Sequence, residues 1–277
     1  MAIRDFIETH EAFTADELLE ACPGGRSTNR RLLSWAVDKG RVTKVMRGLY
    51  VSRTGLFEGS DPAPEAVCEV LAPEVWLHST SALVARAGLP LKGTREVFLA
   101  SEARHETSGA YVSHWELDGT SYSRRSVDPD RPTTSHSPLG QLEAQDVEAA
   151  WVTAVSPRSP EAGRVPLGEV LRALAHADPD PDALLGLCAG DRDAVRALAA
   201  ADALGRCDVE TCEAAEALRQ RWVEGRFRAS CSHGTQFVGL FCRAADPGAA
   251  WWPRWALTVP AGFLDAARVA REGEGRP

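Results

Sequence analysis

The chain has 277 residues, 44% of them hydrophobic and 25% charged, the composition of a globular protein long enough for two domains or three small ones. Its formal net charge of −8 argues, taken alone, against a polyanionic partner, and no run reaches the roughly 18 apolar residues of a membrane span. Seven scattered cysteines, behind a start that places Arg4, Asp5, Glu8 and Glu11 where a secretory signal needs an apolar core, predict reduced thiols in a cytoplasm.

The charge is unevenly spread. Arg26, Arg30, Arg31, Lys39, Arg41, Lys44, Arg47 and Arg53 fall between residues 24 and 55, opposed only by Asp38. The segments on either side are net acidic. One short basic stripe in an acidic protein is the electrostatic footprint of an element that touches nucleic acid.

In chain order, Ile3, Phe6 and Ile7 follow helical spacing and predict a first helix that ends near Thr9–Glu11. Thr14 followed by Glu17 has the form of a capping box and opens a second helix, with Leu18 and Leu19 inward. Cys22-Pro23-Gly24-Gly25 stops that helix and makes a turn. Ser27 is placed to cap a third helix, in which Leu32, Leu33, Ala36 and Val37 form the inner stripe. Gly40 ends it, and Val42, Val45, Leu49 and Val51 alternate around Met46-Arg47-Gly48 as a β-hairpin.

Three helices followed by a basic hairpin are the parts of a winged helix-turn-helix, whose second motif helix enters the major groove N-terminus first. Arg26, Ser27, Thr28, Asn29, Arg30, Arg31 and Ser34 hold that position here, and Lys44 and Arg47 sit on the wing. Arginine and asparagine have the bidentate geometry for guanine and adenine edges, whereas wing cations suit phosphates. Double-stranded DNA is the expected partner. The competing reading is a solvated basic face or a protein-interaction module, and the excess of positive charge exceeds what solubility requires.

Downstream, Ser60-Asp61-Pro62-Ala63-Pro64 reads as a hinge. Residues 65–71 and 80–87 read as helices, and 96–100 and 110–117 as strands, with Asp118-Gly119 signalling a hairpin turn. The proline-rich stretch 156–166 is a boundary. Beyond it, residues 167–177, 181–188, 192–204 and 210–223 read as helices and 226–243 and 255–259 as strands. The predicted fold class is therefore α+β: a winged helix over 1–58, a mixed α/β middle domain over 62–156 and a helix-rich C-terminal region over 165–277. A second winged helix, with Arg219, Arg221, Arg226 and Arg228 as a basic patch, is one reading of that end.

Candidate chemistry is sparse. Cys207-x4-Cys212, Cys231-x-His233 and Cys242 invite a zinc reading, but the spacing is poor for a closed tetrahedral site, and buried thiols are expected with no cofactor bound. His78 beside Ser79 and Ser81 reads as a structural histidine, and Trp251-Trp252-x-x-Trp255 as core rather than a base-stacking platform. No Glu-x-Lys, Gly-x-Ser-x-Gly or P-loop pattern occurs, so no catalytic residues and no enzyme activity are expected.

The runs Phe13-Thr14-Ala15-Asp16-Glu17-Leu18, Ser27 to Gly40 and Arg47-Gly48-Leu49-Tyr50-Val51 resemble the N-terminal domain of the AbiEi family, antitoxins of type IV toxin–antitoxin and phage-defence systems. His78-Ser79-Thr80-Ser81-Ala82-Leu83 with Gly88-Leu89, and the strand-rich stretch from Val97 to Pro157, extend the resemblance to about residue 160. The resemblance implies a cytoplasmic DNA-binding repressor acting on the operator of its own operon, which would also encode a nucleotidyltransferase-like toxin. The alternative from a different class is a non-catalytic interaction subunit of an anti-phage defence complex.

Overall fold

The computed structural model describes residues 1–72, 74–102, 112–127, 134–140, 142–156, 159–230, 239–241 and 248–273, with α-helices and β-strands mixed along the chain. Its residues group into two units. The first takes residues 1–77, 90–131 and 139–143, and the second 78–89, 132–138 and 144–277. Both are built from separated stretches, whereas the sequence suggested three consecutive segments. The reason is strand pairing: partners far apart in the chain are held side by side.

The first unit opens with α1 (Ile3–Thr9), then β1 (Ala12–Thr14) and α2 (Ala15–Ala21). Thr14 caps α2 reciprocally: its hydroxyl accepts from the Glu17 backbone N–H at 3.1 Å, and Glu17 Oε2 accepts from the Thr14 N–H at 2.6 Å. A cap of this kind stabilises a helix by about 1 kcal/mol. Phe13, next to the cap, belongs to β1 and meets Phe6 edge-on at 5.3 Å.

α3 (Arg26–Asp38) follows a four-residue turn. β2 (Val42–Met46) and β3 (Leu49–Ser52) form an antiparallel hairpin, and β1 joins its other side to give the order β1-β3-β2. The core beneath them is Phe6, Ile7, Phe13, Leu18, Leu19, Leu33, Ala36 and Val42. Each fully buried side chain of that size is worth about 1.5–3 kcal/mol. That core carries the fold of the N-terminal part.

The unit continues with α4 (Pro64–Glu69), β4 (Trp76–Leu77), β5 (Glu96–Glu102), β6 (Val112–Leu117) and β7 (Thr120–Val127). Strands β6, β7, β5 and β4 lie side by side in that order; β5 and β7 are parallel and the other pairs antiparallel. Asp118 and Gly119 turn β6 into β7 at φ 48° and 78°. Both signs are positive, as a two-residue hairpin turn requires, so the Asp-Gly signal found its place.

The second unit holds α5 (Ser79–Arg86), β8 (Thr134–His136), β9 (Glu143–Gln145) and α6 (Val147–Ala154). After these come α7 (Leu167–Ala175), α8 (Pro181–Leu187), α9 (Asp191–Leu204) and α10 (Glu213–Ser230). The short antiparallel pair β10 (Ala250–Trp252) and β11 (Leu257–Val259) precedes α11 (Phe263–Gly273). Trp151 and Trp255 are fully buried here, and Trp252 is 8% exposed, but Trp251 stands out at 44%.

One expectation is corrected. The strand predicted from residue 226 is helix as far as Ser230, because α10 continues through Arg226. The hairpin of a second winged helix therefore does not begin there. The rest of that predicted strand, apart from residues 239–241, lies outside the described residues. Arg219 of the supposed second patch is paired with Glu216 at 2.6 Å, and Arg226 stacks over Trp222 at 4.5 Å. Among the described residues no helix is long and apolar enough to cross a membrane.

Candidate nucleic-acid interface

The turn between α2 and α3 sets the site. Gly24 has φ +139°, where a side chain is strained, and a Cβ there would meet Asn29 Oδ1 at 2.9 Å. Asn29 is 2% exposed and donates from Nδ2 to the Cys22 carbonyl at 3.1 Å. Its carboxamide thus ties the first turn of α3 back to the end of α2. Asn29, expected to read a base edge, is turned inward and spent on this lock. Gly25 rather than Ser27 is the N-cap residue, with no side-chain cap, and Ser27 lies in the first turn.

The inward stripe of α3 is Asn29, Leu33 and Ala36, with Val37 half-buried. Leu32, expected in that stripe, is 44% exposed, and Trp35 is 47% exposed. The expectation erred by one helical step: with a buried polar residue at 29, the stripe passes through 29, 33 and 36, which leaves 32 outside. Arg26, Ser27, Thr28, Arg30, Arg31 and Ser34 are exposed. Arg26 pairs with Asp16 at 3.1 Å, both well solvated, so the pair is worth little.

On the hairpin, Lys44 and Arg47 are exposed, Arg47 at the tip. Gly48 makes the turn at φ +87°, and its carbonyl accepts from the Ala15 N–H at 3.0 Å, which fixes the tip to the start of α2. A register shift between Lys44 and Met46 sharpens the bend of β2. Arg41 was counted in the basic stripe but given no role; its guanidinium lies 5.3 Å over the Trp35 ring. Arg53 is different. It donates to Thr43 Oγ1 at 3.1 Å, to the Ser60 carbonyl at 3.2 Å and to the Asp118 carboxylate. This cation is structural. Among the rest, Arg30, Arg31, Lys39, Arg41, Lys44 and Arg47 leave an exposed positive surface on α3 and the hairpin.

Other chemistry-bearing groups meet elsewhere in the fold. Ser79 opens α5 at φ +53° but is fully buried, and its N–H donates to Gln145 Oε1 at 3.1 Å. Beside it, Glu161 Oε1 accepts from the Thr80 N–H and hydroxyl at 3.0 and 2.8 Å. Burial pushes the Glu161 pKa up, while the Ser79 and Thr80 donors pull the other way. Among the described residues, Glu161 is the one ionisable group lining a cavity of about 290 Å³ in this unit.

In the first unit, Ser123 Oγ donates to Glu96 Oε1 and lies 2.8 Å from His114 Nδ1. The hydroxyl sits between the carboxylate and the imidazole, and the tautomer of His114 sets whether its Nδ1 donates or accepts. None of these three residues was singled out by motif, since they meet only through the pairing of β5, β6 and β7.

Cys207 and Cys212 share a cleft in the second unit, with Cys212 Sγ 3.7 Å from Asp182 Oδ1. Burial pushes the Cys207 thiol up to about 11, so without a bound metal it stays protonated. Cys231, His233 and Cys242 lie outside the described residues. Among the described ones no group of three or more His, Cys, Asp or Glu side chains is placed to hold a metal ion.

No family model matches the chain, and no curated protein does. Among solved structures, the chain is similar to the RV2827C protein from Mycobacterium tuberculosis, with a TM-score of 0.54 and 14% identity. The match covers 96% of this chain and 92% of that one. At that identity the likeness is one of fold, a mixed α+β architecture.

Proposed function

We propose that residues 1–58 act as a winged helix-turn-helix that binds double-stranded DNA and makes the chain a transcriptional regulator. The observation that supports it best is the exposed basic surface: α3, set by the Gly24–Asn29 turn, and the hairpin carrying Lys44 and Arg47 are arranged about one core. In this reading α3 enters the major groove and its arginines reach base edges, while Lys44 and Arg47 neutralise phosphates beside it. The acidic remainder of the chain keeps non-specific attraction modest, so the preference for a site rests on α3.

The family resemblance adds a biological setting. The chain would repress the operon that encodes it, alongside a nucleotidyltransferase-like toxin, from the cytoplasm and without catalysis of its own. An interaction subunit of a defence complex is the second reading, favoured by the exposed apolar Leu32 and Trp35 on α3.

Fluorescence anisotropy of the full chain on labelled duplexes, selected from a randomised library and titrated across a salt series, tests the proposal. Binding that weakens steeply with salt, and that drops when Arg31 is replaced by alanine, is the expected result. A folded chain that binds no duplex at low salt overturns it.

A further inference from the structure

The outward face of α3 divides into two strips. Ser27, Arg30, Arg31 and Ser34 form a polar and basic one. Thr28, Leu32 and Trp35, at spacings of four and three, form a second strip that presents methyl and ring carbon to the outside. Large apolar side chains on a solvated helix face are unfavourable unless something covers them. Arg41 lies over one face of the Trp35 ring, and Trp35 is still 47% exposed. The exposed cations of α3 and the hairpin, Arg30, Arg31, Arg41, Lys44 and Arg47, suit a polyanion as the occupant.

Resting on the DNA reading above, we infer that the Thr28–Leu32–Trp35 strip reads thymine methyl groups in the major groove. Thymine is the one base that shows carbon on the groove floor, where apolar side chains recognise its C5-methyl. Thr28 and Trp35 are seven residues apart, about 10 Å along the helix axis, which corresponds to about three base-pair steps. The basic strip then sets the helix against phosphates and guanines, and the apolar strip selects A·T pairs within that window. The bound site carries two or more thymines on the strand facing the strip.

The test uses the full chain and duplexes selected from a randomised library. Each thymine of the selected site is replaced in turn by deoxyuridine, which removes only the methyl. For the natural chain, withdrawing a methyl under the strip weakens binding about fourfold. Leu32→Ala and Trp35→Ala, both at exposed positions, bind the thymine duplex more weakly and lose the thymine–uracil difference. Equal affinity of the natural chain for the two duplexes overturns the inference while leaving DNA binding standing. So does an undiminished thymine–uracil ratio in both variants. Sedimentation showing that Leu32→Ala and Trp35→Ala split a dimer, with that ratio intact, assigns the strip to a second copy of the chain instead. Absence of any duplex binding by the natural chain removes the DNA reading and this inference with it.

Discussion

The guanidinium of Arg53 donates to the carboxylate of Asp118, joining the end of β3 to the turn between β6 and β7 across 65 positions of sequence. Both side chains are mostly buried, at 20% and 26% exposure, so this pair is screened less than a surface one. Asn tolerates the left-handed backbone at 118, so Asp118→Asn removes the charge and leaves the turn intact. It should lower unfolding free energy by about 1 kcal/mol, and Arg53→Ala by about 1–3 kcal/mol because the bonds to Thr43 and Ser60 go as well. Urea denaturation reads both. Arg53→Ala should leave the salt dependence of DNA binding unchanged, since this cation is not free to meet phosphate; a shallower slope would contradict that assignment.

Asn29 and Arg31 separate stability from recognition within one helix. Asn29→Ala abandons the Cys22 carbonyl in a buried turn and should destabilise the chain by about 1–3 kcal/mol. The molecules that remain folded should bind DNA nearly as before. Arg31→Ala should do the reverse, with stability within about 0.5 kcal/mol and affinity for a selected duplex down by about 1–3 kcal/mol. Chemical denaturation paired with anisotropy makes the comparison. Equal effects of the two substitutions on binding per folded molecule would sink the division of roles.

The local features of the N-terminal part were legible because they are written in short-range chemistry. Thr14 and Glu17 announce a cap, Gly24 and Gly48 announce turns, and alternation of Val42, Leu49 and Val51 announces the hairpin. Asn29 was misread for a reason of the same kind: a polar side chain at the start of a helix looks outward until its buried partner, a backbone carbonyl, is seen. Leu32, grouped with Leu33, Ala36 and Val37 as the inner stripe, falls one helical step outside it. Farther along, the parallel pairing of β5 with β7 and the meeting of Glu96, Ser123 and His114 depend on contacts between distant strands, and no local spacing encodes them. The strand predicted from Arg226 fails because α10, started upstream at Glu213, runs on through Arg226 to Ser230.

Glu161 makes stability depend on pH in a stated direction. Burial raises its folded-state pKa above the ordinary 4.5, so between 4.5 and that raised value the native state holds a proton the unfolded chain has released. The native state therefore gains stability from this group as pH falls through the raised value, and the gain is complete below 4.5. Above the raised value that gain is lost. Glu161→Gln keeps an oxygen for Thr80 and carries no charge, so its stability should vary less with pH over this window than that of the natural chain. Denaturation midpoints of the two proteins, measured as pH falls toward 4.5, should converge, the natural chain gaining on the variant. A constant or widening gap would show that the carboxyl is not held protonated by its surroundings.

The hairpin offers the sharpest separation of positioning from reading. Lys44 and Arg47 are exposed on β2 and at its turn, and the tip is fixed to α2 through the Gly48 carbonyl, so both charges are carried on a rigid arm. Each phosphate neutralised by a protein cation releases counterions, which contributes about −0.9 to the slope of log affinity against log salt. With α3 supplying two to four further contacts, the full chain should show a slope near −4 to −5. Lys44→Ala with Arg47→Ala should reduce that slope by about two units and weaken binding to every duplex by a similar factor. Preference among duplexes should stay as it is, because phosphate contacts carry no base information. Neither residue belongs to the core, so the double variant should fold normally. The experiment is best done on the whole chain, since a fragment ending at residue 58 would lose the Asp118 partner of Arg53. A double variant with an unchanged slope would place the hairpin away from the duplex, and with it the assignment of β2 and β3 as a DNA-contacting wing.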